Sequence, residues 1–176
     1  MANKEYNRIL IATDGSENAE KAARSGVTIA ALSGAKVIAL YVVEMETVGV
    51  TPEAVHRDSV ASMKMAVTEH MTQEQWREFA RIADEMWKTE RHKHLEEKGN
   101  AVTSYVEDLC KELGAEVETR IEEGHPANVI LDIAEKEKVD LLVIGTLGKT
   151  ADGRFRLGSV AEKVIRNSPT ELLVVR

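Results

Sequence analysis

The chain has 176 residues, 43% of them hydrophobic and 30% charged, with a formal net charge of −7, proportions that fit one globular domain with a single core. Its apolar runs fall well short of the roughly 20 residues that span a bilayer, and the amino-terminal segment has no apolar stretch followed by a small-residue cleavage site, so a membrane or secreted protein is not expected. A single cysteine, Cys110, excludes an internal disulfide and a cysteine-built zinc centre, the acidic balance argues against a general nucleic-acid surface, and a cytoplasmic setting is expected.

Arg8 to Thr13 (RILIAT) is a short apolar run that ends at Asp14-Gly15-Ser16, the pattern of a buried strand entering a turn. Ala19, Ala22, Ala23, Val27 and Ala30 then recur at helical spacing, with Ser16 as N-cap and Gly34 as stop. Lys36 to Val43 (KVIALYVV) is apolar on both faces, as a central parallel strand is. From about 45 to 100 the pattern changes. Val55, Val60, Met63, Val67 and Met71, and then Trp76, Phe79, Ala83, Met86 and Trp87, are spaced by threes and fours, which predicts a helical insertion between the second and third strands. Its Trp76, Phe79, Ala83, Trp87 stripe is expected to pack on the domain or a twin subunit, or to dock another protein. A separate helix is predicted over Val102 to Leu113, closed by Gly114.

Strand and helix then alternate again. Val117, Thr119 and Ile121 read as a strand, Pro126 suits the first turn of a helix running to about Lys138, and Val139 to Ile144 (VDLLVI) is the most apolar strand. A helix over Ser159 to Asn167 and a strand over Glu171 to Val175 complete the chain. Five strands alternating with helices predict one α/β domain over 1–176, built on a five-stranded parallel, doubly wound, Rossmann-like sheet.

The stretch from Ile144 through Gly145, Gly148 and Lys149 to Gly158, Ser159 and Val160 leaves the end of the fourth strand, where ligands collect in open α/β sheets. Its glycines let the backbone approach a ligand and take φ angles that other residues avoid. Ser159 opens a helix whose free N–H groups suit a phosphate. Gly148-Lys149-Thr150 also resembles the end of a P-loop, but that pattern needs a glycine where Val143 stands. The plain alternative is that the glycines only shape turns. Asp14 is equally open, to a ligand or to an Asx turn. His92 and His94, two apart on a helix, do not share a face and make no metal site; His125, in the turn after the third strand, is read first as a loop and helix-cap residue and second as a nucleotide contact.

Gly145, Gly148, Gly158 and Ser159, with nine residues from Lys149 to Leu157 between the second and third glycines, match the G-2x-G-9x-G-S/T pattern. ILIATDGSENAEKAA, IALYVVE, VDLLVIGTLG, GSVAEKVIRNSP and ELLVVR follow in the expected order. On these motifs the chain resembles the universal stress protein family, in its ATP-binding branch. The resemblance implies an adenine nucleotide, ATP or ADP or AMP, with Mg²⁺ aiding the phosphates. It implies Asp14, preceded by Thr13, beside base and ribose, and the main chain of Val42 at the adenine edge. It places phosphates on the backbone of Gly145, Gly148, Gly158, Ser159 and Val160, with the Ser159 hydroxyl as a further donor. Lys149, Arg154 and Arg156 are candidates to cover the outer phosphates. A homodimer through the edge strand Glu171 to Val175 is also expected. Three functions stay open: a nucleotide-dependent stress-response regulator with little or no turnover, a slow ATPase, and a dimerising scaffold without ligand. No Cys-His or Ser-His-Asp arrangement is assignable, so catalytic residues are not named.

Overall fold

A computed structural model describes residues 6–44, 52–67, 72–148 and 157–176. The chain forms two compact units, one of Met1–Glu44 with Lys98–Arg176 and one of Met45–Glu97.

The first unit holds a five-stranded sheet of β1 (Arg8–Ala12), β2 (Lys36–Val43), β3 (Val117–Glu123), β4 (Leu141–Gly145) and β5 (Glu171–Val175). Their order is β3-β2-β1-β4-β5 and every pairing is parallel. Side chains alternate across a strand, so the apolar runs feed two cores. On one face Ile9, Ile11, Val37, Ala39, Leu141 and Val143 pack against Ala22, Ala23, Val27 and Ala30 of α1 (Glu17–Ser33), and against Val106, Leu109 and Cys110. On the other, Leu10, Ile38, Leu40, Leu142 and Ile144 pack against Ala127, Ile130, Ile133 and Ala134 of α4 (Pro126–Lys136) and Ala161 and Val164 of α5 (Ser159–Asn167). The predicted sheet, its parallel sense and its helices on both faces are all present.

Asp140 fastens the amino-terminal ends of the strands. Its carboxylate accepts the N–H groups of Asn7 (2.7 Å) and Arg8 (2.9 Å), its own N–H donates to Arg8 O (2.9 Å), and its carbonyl accepts the Thr170 hydroxyl (2.9 Å). β4 begins at Leu141, just after this link, and not at Val139 as expected. The opposite, carboxyl-terminal edge is left to loops.

The central helices differ from expectation. After α2 (Pro52–Val67), residues predicted as separate helices form one 41-residue helix, α3 (Gln73–Leu113). The expected break lay near residue 100, between the insertion and the helix starting at Val102. In the structure Gly99 is inside the helix and buried, and a Cβ there would overlap the Ile121 side chain of β3. It is a close-approach glycine.

The second unit is helical, as predicted. Its apolar stripe divides: Trp76, Ala83 and Trp87 are half-buried, whereas Phe79 (40%), Ile82 (43%) and Met86 (68%) are exposed. The His56 ring of α2 stacks on Trp87 at 4.7 Å between centroids, with Arg91 over Trp87 at 5.1 Å. No helix among the described residues is long and apolar enough to cross a membrane.

Candidate functional site

The strand order fixes where a ligand has room. The chain moves outward from β1 through β2 to β3, then returns to β4 on the far side of β1 and continues to β5. Connections leave β1 and β4 in opposite directions, which opens a crevice at their carboxyl ends.

The turn after β1 makes one wall. Thr13 lies just past the last paired residue, is 7% exposed, and extends the ladder by donating its N–H to Leu40 O (2.9 Å). Its hydroxyl accepts the Gly15 N–H (3.2 Å), and Asp14 Oδ1 accepts the Ser16 N–H (3.0 Å), an Asx turn. Gly15 has φ 73°, a left-handed conformation that favours glycine. Ser16 caps α1 by accepting the Ala19 N–H (3.3 Å) and also donates to Leu147 O (3.4 Å). One hydroxyl therefore starts the helix and ties it to the loop after β4.

The second wall is the end of β4. Ile144 is 3% exposed within the core, so its side chain belongs to packing and only its main chain borders the crevice. A Cβ on Gly145 would lie 2.9 Å from Asn18 C and 3.1 Å from Ala19 N, and one on Gly148 would lie 2.6 Å from Asp14 Oδ2. Glycine at 145 thus admits the first turn of α1, and glycine at 148 admits the Asp14 carboxylate. Thr146 donates its N–H to Val175 O (2.8 Å) and accepts the Gly158 N–H (2.7 Å), which returns the chain to β4 as α5 begins.

Gly148 so lies against Asp14, Gly158 packs on the Thr146 to Gly148 backbone, and Gly145 faces the first turn of α1. The expectation of special φ angles is not met at these three. None lies in the left-handed region, and Gly158, the N-cap of α5, has φ −79°. They serve by lacking a side chain. α5 has no side-chain cap, and its first internal bond is Glu162 N–H to Gly158 O (2.9 Å). The N–H groups of Ser159 and Val160 have no acceptor within the helix, the condition in which a helix end attracts an anion. Ser159 is exposed and Val160 half-buried.

Val42 borders the crevice through its main chain. Leu40 O faces β1, since it accepts from Thr13, while Val43 O faces β3, accepting the Gly124 N–H (3.1 Å). Hydrogen-bonding direction alternates along a strand, so the N–H and C=O of Val42 face the β1 side. There the register has already ended at Ala12↔Leu40. Its side chain packs partly against the second core.

Other candidates lie apart or outside. Lys149, Arg154 and Arg156 fall outside the described residues. His125 is exposed at the start of α4, where its carbonyl accepts the N–H groups of Asn128 and Val129 (3.0 and 3.1 Å). His92 pairs with Glu96 at 3.2 Å. Among the described residues no three or more His, Cys, Asp or Glu side chains gather as a metal site. The helical unit has a cavity of about 280 Å³ lined by His56, Arg57, Asp84, Trp87 and Lys88. Asp84 there is paired with Lys88 (2.7 Å), and Trp87 already carries His56 and Arg91 against its ring. Thr146 and the Ser16-to-Leu147 link were missed from sequence. The one available signal was the position of Thr146 directly after the first motif glycine.

Known proteins resemble this chain over nearly its whole length. A universal stress protein of Methanocaldococcus jannaschii is 34% identical over 172 residues, covering 97% of this chain and 82% of that protein. The solved UspA of Lactobacillus plantarum superposes with a TM-score of 0.64 at 24% identity, covering 99% and 100% of the two chains. A solved universal stress protein in complex with cAMP gives 0.57 at 24% identity, covering 98% of each. The profile of the universal stress protein family matches residues 5–176. With the family profile matched over residues 5–176 and a relative 34% identical over 172 residues, the chain belongs to the universal stress protein family.

Proposed function

We propose that the crevice binds an adenine nucleotide, ATP or its shorter phosphates, and that the protein is a nucleotide-dependent regulator in a stress response. The observation that carries this reading is that Gly158, the N-cap of α5 without a side-chain cap, packs on the Thr146 to Gly148 backbone, with Gly148 in turn against Asp14. Phosphates fit at the start of α5, where the N–H groups of Ser159 and Val160 have no acceptor within the helix. The base fits against the Val42 main chain, which edges the crevice beyond the last β1 pair. Asp14 Oδ2, turned to Gly148, suits the ribose hydroxyls. The cAMP complex of a relative with the same fold supports an adenine nucleotide as the ligand class. Mg²⁺ would sit on the phosphates and complete its shell with water, as it does where the protein supplies few carboxylates.

Backbone donors and a helix terminus hold and neutralise phosphates, but neither removes a proton from water. Turnover is therefore expected far below the median enzyme rate of about 10 per second. The test is direct. Nucleotide is extracted from freshly purified, denatured protein, and ATP, ADP and AMP are titrated into a nucleotide-free preparation by calorimetry. Binding of at least one is expected, and no heat from any of them overturns the reading. A brisk steady-state ATPase that is lost in Asp14→Ala with binding retained would make the protein an enzyme instead.

A further inference from the structure

Among the described residues, one buried side-chain oxygen or nitrogen has no hydrogen-bond partner: Thr146 Oγ1. Buried hydroxyls are nearly always satisfied, and an exception calls for an explanation such as a ligand. The two buried threonines among the described residues, Thr13 and Thr103, follow the rule. Thr13 Oγ1 accepts from Gly15 (3.2 Å) and Thr103 Oγ1 donates to Gly99 O (3.1 Å). Thr146 differs from them by its place.

Its main chain is held at both ends, by Val175 O and by the Gly158 N–H. The second of these bonds sets Thr146 against the residue that opens α5. The direction of its side chain follows from β4. Val143 faces the α1 core, Ile144 the α4 and α5 core, and the missing Cβ of Gly145 points at α1. Alternation turns Thr146 toward the α5 side. Valine would fill the same volume without burying an unmet hydroxyl, so packing alone does not account for the oxygen.

We infer that Thr146 is a ligand-positioning residue, whose hydroxyl donates to a phosphate oxygen held at the start of α5. The inference rests on the nucleotide reading above and adds a side-chain donor to the backbone donors of Ser159 and Val160. The bound phosphate would supply the acceptor that the hydroxyl lacks in the protein alone.

Calorimetric titration of the full chain with ATP and with AMP, in the parent, Thr146→Val and Thr146→Ser, tests it. Thr146→Val is expected to weaken binding on the order of tenfold, as for a lost hydrogen bond to a charged group. Thr146→Ser, which keeps the hydroxyl, is expected to bind like the parent. The thermal midpoint of nucleotide-free Thr146→Val should equal or exceed that of the parent, because an unmet buried hydroxyl has gone. Should the valine variant not fold, Thr146→Ala is expected to show the same loss of affinity. If the parent binds and Thr146→Val binds equally well, or if serine is as weak as valine, this inference fails and the nucleotide reading stands. A parent that binds neither ligand overturns both.

Discussion

A methyl group added at Gly145 or at Gly148 meets different obstacles, although the two lie three residues apart. At 145 the obstacle is backbone, Asn18 C at 2.9 Å and Ala19 N at 3.1 Å, and a helix cannot yield without disturbing the packing of α1. At 148 it is the end of a side chain, Asp14 Oδ2 at 2.6 Å, which can swing away. Gly145→Ala is therefore expected to lower stability by about 1–3 kcal/mol, the usual cost of overpacking. Gly148→Ala should leave stability within about 1 kcal/mol but displace Asp14 and weaken nucleotide binding on the order of tenfold. Urea denaturation and calorimetry on both variants check this, and the reverse pattern would misassign the two glycines. The motif spacing was legible in sequence because it is a count of residues. The reason for each glycine was not, since it depends on what the fold brings opposite. The Thr146 hydroxyl was hidden for the same cause, because satisfaction of a polar group belongs to its neighbours.

Strands were the most legible elements here. VIAL and LLVI are apolar at every position, which only a sheet covered on both faces accommodates. The helical segment was read less well. The insertion and the helix over Val102 to Leu113 read as separate by their apolar spacing, yet α3 runs through both, with Gly99 inside it where Ile121 leaves no room for a Cβ. Only a tertiary contact distinguishes the two cases. β5 carries a prediction of its own. It pairs with β4 on one side, it is last in the strand order, and Leu172 to Val175 are half-buried. Such an edge invites pairing with another strand, and we propose that a second copy supplies it about a two-fold axis. Light scattering at tens of micromolar should give a dimer for the parent and a monomer for a folded Leu173→Lys variant. A monomeric parent, or a dimer indifferent to the lysine, would count against this pairing.

At the scale of the whole sheet-bearing unit, a chain of charges links several elements. Arg120 of β3 meets Glu137 (2.8 Å) and Glu118 (2.8 Å); Glu137 also meets Arg8 (2.8 Å), and Lys36 meets Glu118 (3.1 Å) and Glu116 (3.4 Å). Hydrogen bonds from Arg120 are the chief cause that holds Glu118 and Glu137 below the ordinary carboxylate value of 4.5. Carboxylates more acidic in the folded than in the unfolded chain stabilise it fully above the unfolded value, and this contribution is lost as pH falls through the folded one. The parent should therefore lose stability steadily below about pH 4.5, and Arg120→Met should flatten that slope while lowering stability at neutral pH. Denaturant midpoints at several acid pH values test this, and equal slopes would remove Arg120 from the account. A different consequence attaches to Cys110. It is wholly buried in α3, and loss of hydration, with Glu107 nearby, pushes its thiol up to about 11. Thiolate, not thiol, reacts with peroxides and disulfides. While folded, the protein is thus silent toward oxidants at its only sulfhydryl. A glutathione adduct or sulfenic acid at Cys110 would record that α3 had come away from the sheet.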